Sequence, residues 1–404
     1  MLVAAMAAVL ALTLSLTRSP SPTPPPPVPQ THAGAQRALG KLLQAAEVAP
    51  GVSHREFTTT AAAGDVKGDI VEVDLADPAV HIDLMTAGAV AARSGVERMA
   101  NRSGAVAGIN GDFFDIGRTN APVGPAVAGG RAVKAAVPPG RRMGPAVPGA
   151  EVDSVFAVDP TGIGRIDRLR LEASATTASG TLPLVGLNQY AVPVDGIGIF
   201  TPDWGEVDRA EALCGSDTDR NAPCSPEQAE VVVRDGAVAI TRRPIGGRIA
   251  PGDITLTGRD QGAVTLRALR VGDRVDVRYA LVPASGTQPA FAVGGSPILR
   301  DGALVQGLDD RARAPRSAVG VGPDGRHMWM LTLDGREDDS VGASLEELGS
   351  LLHELGIHNG VNLDGGGSST LVYQDEEERS VTIVNDPSDP SARLVPNGIG
   401  VYVR

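Results

Sequence analysis

Aromatic residues are scarce in this chain, at 3% of 404 residues, so the core must be filled by Val, Leu, Ile and Ala. The scarcity also counts against a non-catalytic polysaccharide-binding module, which grips sugar rings with exposed aromatics. Basic residues are in deficit: 36 Lys and Arg stand against 48 Asp and Glu, a formal net charge of -12. That argues against nucleic acid as a partner, because binding it needs a basic surface. A small anionic group is a weaker exclusion, since one well-placed Arg can serve it. Cysteine is nearly absent. The two present, Cys214 and Cys224 in "LCGSDTDRNAPCSP", lack a nearby histidine to complete a zinc site. An even count in a polar loop of an exported protein reads as a disulfide.

No Lys or Arg occurs before Arg18, yet the opening "MLVAAMAAVLALTLSLT" is an apolar run of signal-peptide length. A polyproline-prone spacer, "RSPSPTPPPPVPQ", follows it. Residues 1–30 therefore read as a signal peptide or anchor plus spacer, and the protein as secreted or extracytoplasmic. The run is short for a membrane-crossing helix, which favours export, with an N-terminal membrane tether as the alternative. No cysteine lies near it to carry a lipid. Residues 31–51 are expected to form a helical segment, His32 to Ala49, ended by Pro50-Gly51. Residues 52–404 show no internal repeat or linker and read as one domain.

Gly and Pro are plentiful, at 50 and 31 residues, which points to many short strands. "DIVEVDLADPAVHIDLMTA" alternates apolar and polar residues about an Asp-Pro turn and predicts a hairpin. "DSVFAVDPTGIGRIDRLRLEA" and "AEVVVRDGAVAI" predict two more, the second with an Asp-Gly turn, and "GAVTLRALRVGDRVDVRYALV" adds further alternation. "SGVERMANRSG" and "SLEELGSLLHELG" predict helices. In the latter, Ser344 and Glu347 fit a capping box and Gly356 a C-terminal cap. Strands dominate without regular strand–helix alternation. The expected class is α+β, a mostly antiparallel or mixed sheet with a few packed helices.

Several tempting motifs fail. The histidines of "HELGIH" are five apart, about 140° around a helix, so they share no face. "GGGSST" lacks the second glycine of a nucleophile elbow and the lysine of a phosphate-binding loop. Three segments survive, each with polar residues where an apolar strand ends. "AVAGINGDFFD" carries Asn110, Asp112 and Asp115. "RSAVGVGPDGRHMWMLTLDGR" carries Arg316 and Asp334. "VNLDGGGSST" carries Asn362, Asp364, Gly365, Gly366, Gly367, Ser368 and Ser369. Three consecutive glycines can converge backbone N–H groups into an anion-binding nest, Arg316 can pair with phosphate, and two acids are the minimum for glycoside-type hydrolysis. A substrate joining a phosphate to a sugar suits that set.

The same segments resemble the phosphodiester glycosidase family. "GINGDFFD" looks like its Asn-Gly-x-Phe-Phe motif; "PVGPAVAGGRAV", "RSAVGV", "LTLDGR" and "NLDGGGSSTLV" are similar to later stretches in the same order, over roughly residues 65–404. The resemblance implies an exported hydrolase that removes an alpha-linked sugar from a phosphodiester, on an α+β domain with a polar surface cavity. It places Asn110, Asp112, Arg316, Asp334, Asp364, Ser368 and Ser369 at that cavity. Asp364 is expected as base or nucleophile and Asp334 as second carboxylate or orienter of Arg316. Arg316 and the Gly365–Gly367 backbone would stabilise the anion, and Asn110 would bind sugar hydroxyls. The substrate is expected to be a sugar-phosphate or cell-envelope polysaccharide, with no cofactor. A rival is a phosphodiesterase in which Asp112, Asp334 and Asp364 hold a divalent cation.

Overall fold

The computed structural model describes residues 41–42, 45–375 and 379–404. The signal or anchor segment and most of the expected N-terminal helix lie outside these residues. The described end of that helix is not helical. Lys41–Leu42 and Ala46–Ala49 are strands paired with Val52–Ala61, where the open edge of a sheet satisfies their backbone groups.

Eleven strands build the part of the fold that carries the motifs. They are β1 Val52–Ala61, β2 Gly64–Asp74, β3 Val80–Thr86, β4 Ala107–Asn110, β5 Ser296–Arg300, β6 Arg316–Val321, β7 His327–Leu333, β8 Asn359–Asn362, β9 Leu371–Gln374, β10 Val381–Ile383 and β11 Asn397–Val403. The larger sheet runs β1-β2-β7-β6-β8-β5, and the smaller runs β10-β9-β4-β11-β3. The two pack face to face over a core that includes Val71, Val73, Val319, Met330, Val361, Ile109, Leu371 and Ile399. Helix α1, Val96–Ser103, covers the outer face of the small sheet through Val96, Met99 and Ala100. A further helix, Leu345–Glu354, covers the outer face of the large one. The result is four layers, helix, sheet, sheet, helix, so strands of the large sheet are apolar on both faces. In β2, Ile70 faces that outer helix while Val71 and Val73 face the inner core.

The Leu345–Glu354 helix forms as its local signals dictate. Ser344 Oγ accepts from Glu347 N at 3.1 Å and Glu347 Oε2 accepts from Ser344 N at 2.8 Å, the reciprocal cap. Leu345, Leu348, Leu351 and Leu352 are buried along one stripe, each contributing about 2 kcal/mol of apolar burial.

A second lobe, within residues 126–294, holds two further sheets and the short helix α2, Gln261–Arg267, around its own core. Its hairpins Ser154–Val158/Gly164–Thr177 and Gln228–Arg234/Ala237–Arg242 pair as expected. Two expectations fail. "GAVTLR" is helical rather than extended, because Ala263 and Leu266 pack one helical face into that core. The Asp-Pro stretch is not a hairpin: β2 pairs with β1 and β7, whereas β3 pairs with β11 in the other sheet. The turn therefore crosses between layers.

Candidate active site

Asn110 ends β4 and is fully buried. Its Nδ2 donates to the Asp364 carbonyl at 2.7 Å, and its Oδ1 accepts from Ser317 Oγ at 2.7 Å and from Thr370 N at 3.1 Å. One amide, with a donor and an acceptor whose partners lie 207, 254 and 260 residues away, thus ties the three motif segments together. Asn397 Oδ1 accepts from Asp112 N at 3.0 Å, and Gly111 lies so close to that amide that a Cβ would collide with it. Asn385 accepts from Leu371 N at 2.8 Å and donates to Ser369 O at 3.2 Å. Asn110 was expected to contact sugar; the structure gives its amide wholly to the protein.

At this junction the backbone brings Asp364 next to the Asp112 segment, Asp364 N donating to Gly111 O at 3.0 Å, and the Asp112 charge acts on the Asp364 carboxyl. Asp112 Oδ2 accepts from Gly124 N at 2.5 Å and packs against Gly294, where a Cβ would strike it. Burial raises its pKa, and burial also lowers that of its neighbour Lys134. The Lys134 Nζ is fully buried and donates to Val123 O, Gly124 O and Ala135 O. Asp364 is pushed up to about 7, first by burial and further by the charge of Asp112, against a Ser368 hydroxyl bond and the charge of Arg393. Arg393 Nη1 reaches Ser368 Oγ at 3.4 Å while Nη2 holds Asp389 at 2.9 Å. Arg142 lies 5.8 Å from the Phe113 ring, donates to Pro145 O at 2.7 Å and to Ser296 Oγ, and its charge opposes the rise at Asp112.

The three glycines serve sterics rather than an anion nest. Gly365 N bonds the Asp364 carboxyl, Gly366 N donates to Pro315 O at 2.9 Å, and Ser368 N and Ser369 N close a 3₁₀ turn onto Gly365 O and Gly366 O. Most of the expected nest donors are thereby spent. Gly366 has φ +62°, which an L residue adopts at a cost. A Cβ on Gly365 would meet Pro315 O at 2.7 Å, and one on Gly367 would collide with Asp389. Over Gly366 lies the exposed guanidinium of Arg336, 3.3 Å from where a Cβ would sit, with no hydrogen-bond partner among the described residues.

Arg316 is placed differently from the expectation. Its Nε donates to Ala343 O at 2.8 Å and one Nη to Ala312 O at 2.6 Å, so it pins the chain before β6; burial lowers it to about 10. Asp334 also departs from its expected partner. It lines a cavity of about 350 Å³ with Glu56, Lys67, Asp69 and Asp386. Burial, then the charges of Asp69 and Asp386, push it up to about 7. Its Oδ1 accepts from Asp386 N at 3.1 Å, and the buried His54 bonds Asp69 at 2.8 Å alongside. The acid that interacts with Asp364 is Asp112, not Asp334. Nor do Asp112, Asp334 and Asp364 gather as a cation's ligand set; no group of three or more His, Cys, Asp or Glu does so among the described residues.

The expected disulfide is present, Cys214 to Cys224. Arg142, Lys134, Arg336 and Arg393 were missed by sequence reasoning. "LTLDGR" contained Arg336 within a motif already singled out; Arg142, in "PPGRRMGP", and Arg393, in "PSARLVP", sit in polar stretches with no local pattern. Among the described residues no helix is long and apolar enough to cross a membrane.

Residues 227–402 match the family model described as phosphodiester glycosidase, so the resemblance read from the motifs holds over the carboxy-terminal part of the chain. No curated protein matches the sequence. Among solved structures, a hypothetical protein from Synechocystis superposes with TM-score 0.70 at 21% identity, over 89% of this chain and 64% of the other. This chain thus spans less than two thirds of that protein's length. A Burkholderia pseudomallei K96243 protein named as exported gives TM-score 0.69 at 19% identity, over 90% of this chain and 96% of the other. These two share the fold. The catalytic domain of zebrafish N-acetylglucosamine-1-phosphodiester alpha-N-acetylglucosaminidase, auto-inhibited by its pro-peptide, aligns at TM-score 0.43 and 14% identity, over 90% of this chain and 88% of the other.

Proposed function

We propose that this chain, whose carboxy-terminal part matches the phosphodiester glycosidase family, hydrolyses the anomeric C–O bond of a sugar-1-phosphodiester outside the cytoplasm. The observation that carries the reading is the Asp112–Asp364 pair, brought together by Asn110 beside arginines that have cationic capacity to spare. In this reading water attacks C1, its proton passes to Asp364, and the C1–O bond breaks with its electron pair leaving on the phosphate monoester. A group held near pH 7 suits such proton transfer, and Asp112 is the second carboxyl. Asp364 can instead attack C1 itself as nucleophile, with water then releasing the sugar. A phosphate monoester leaves readily, so stabilising its charge matters more than protonating it. Arg336 and Arg393 are the groups for that, with guanidinium forks that match phosphate; Arg316 and Asn110 become positioning residues.

Export is supported by the opening apolar run and by the disulfide, which suits an oxidising compartment. A sugar-binding module is disfavoured by the rings themselves: none of the six Phe, two Trp or four Tyr is exposed.

Hydrolysis in oxygen-18 water tests the reading. Label is expected in the released sugar, and label in the phosphate would transfer the chemistry to P–O cleavage. Asp364→Asn should lower turnover at least about a hundredfold, a few kcal/mol of barrier, with a melting temperature no lower than the wild type's. Near-normal turnover in that variant removes Asp364 from the mechanism.

A further inference from the structure

We propose that the loop closed by the Cys214–Cys224 disulfide is a clamp that sets the position of the Asp112 carboxyl, acting through Arg220. The inference rests on the function proposed above and adds a positioning residue to it.

The loop touches both chain segments that frame Asp112. On one side lies the turn that follows it. Asp115, buried three residues on, accepts from Thr119 N at 3.2 Å and Thr119 Oγ1 at 2.9 Å with one oxygen. Its other oxygen meets Arg220 Nη2 at 2.9 Å. The same guanidinium donates to Ile116 O at 3.3 Å, and Arg118 Nη1 returns a bond to Arg220 O at 2.6 Å. On the other side lies the segment leading to Arg142. Arg141 Nη1 donates to Cys214 O at 3.1 Å and Ser216 O at 2.9 Å, and Gly140 is pressed against Asp217 O with no room for a Cβ. Arg142, the next residue, is the arginine whose charge acts on Asp112.

The loop has its own footing. Arg259, at the end of the Ile254–Arg259 strand of the second lobe, donates through Nη1 to Gly215 O at 2.8 Å. Asp217 Oδ1 accepts from Val194 N at 2.9 Å. The disulfide thus joins the ends of a segment that is fixed to the second lobe on one side and grips residues 115–118 and 140–141 on the other. Without Arg220 the buried Asp115 carboxyl loses its counter-charge, and the turn after Asp112 loses its outer bond.

The full chain is tested as Arg220→Ala, Arg220→Lys and the double variant Cys214→Ser/Cys224→Ser. Deuterium uptake is followed in peptides spanning residues 112–125, which contain the Gly124 amide bonded to Asp112, beside kcat, KM and melting temperature. Arg220→Ala and the double Ser variant should speed exchange there at least about tenfold. They should lower kcat about tenfold with KM within twofold, and Arg220→Lys should recover part of both. Unchanged exchange in Arg220→Ala overturns the clamp, as does a fall in melting temperature with exchange and kcat intact. If the wild-type protein releases no sugar, the reaction fails while the exchange measurement still decides the clamp.

Discussion

Truncating Asn110 to Ala would strip three hydrogen bonds from the one point where β4, β6 and the glycine loop meet. The Asp364 carbonyl, the Ser317 hydroxyl and the Thr370 N–H would all lose their partner inside the protein. Each buried orphan costs about 1–3 kcal/mol, and partial relaxation brings the sum to roughly 4 kcal/mol. Unfolding entropy near 2.1 cal/mol/K per residue, over the roughly 360 described residues, makes that a fall of about 5 °C in Tm. Ser317→Ala is the control. It removes one of the three bonds and leaves the Asn110 amide partly satisfied, so it should cost only about 1 kcal/mol. Scanning calorimetry and steady-state kinetics on the same samples separate two roles for Asn110. A residue that binds sugar would raise KM in the Ala variant and leave Tm alone. A Tm within about 1 °C of wild type, outside the range that four kcal/mol implies, would refute the keystone role.

Three further outcomes can be measured. Asp334 and Asp364 have folded pKa values raised to about 7, so the folded state holds protons that the unfolded chain releases near pH 4. Stability should therefore fall as pH rises from about 4 to 7 and level off above, by at most about 4 kcal/mol per group. Urea titrations at several pH values should show this slope, shallower in Asp334→Asn; a wild-type stability that climbs across this window contradicts the burial argument. Arg336→Ala should raise KM for an anionic substrate about tenfold, roughly 1.4 kcal/mol, at constant Tm, and an unmoved KM would exclude Arg336 from the phosphate site. Glu230 is fully buried and accepts from Arg209 Nε at 2.6 Å and Arg242 Nε at 2.8 Å. Glu230→Gln strands the Arg209 charge in the second lobe and should cost about 3–5 kcal/mol by chemical denaturation; a loss under about 1 kcal/mol would mean that water reaches the pair.

What the sequence made legible was local. The Ser344–Glu347 cap, the leucine stripe behind it and the Asp235-Gly236 turn depend on residues within one turn of each other, and all appear as read. The motif segments were legible too, because each ends an apolar strand in polar residues. Their partners were not. Asp364 is matched with Asp112 rather than Asp334 because β8 lies between β5 and β6 and its loop turns onto Gly111 O. No local periodicity encodes that crossing. The Asp-Pro stretch shows the same limit: its alternation identified two strands correctly, and only the placement of β11 decides that they part company. Gly365–Gly367 looked like phosphate chemistry because a run of glycines carries the same signature whether its N–H groups are free or its Cβ positions are filled by neighbours.

The last strand has a bearing on how the protein comes to be made. β11 lies in the middle of the small sheet, hydrogen-bonded to β3 on one side and to β4 on the other. Until that strand has been made, those two partners, at least 287 positions upstream in sequence, have no strand hydrogen-bonded between them, and Asp112 has no Asn397 to receive its N–H. Contacts of such separation form late and slowly. The small sheet therefore stays unclosed, and the turn at Asp112 unpinned, until that one strand is in place.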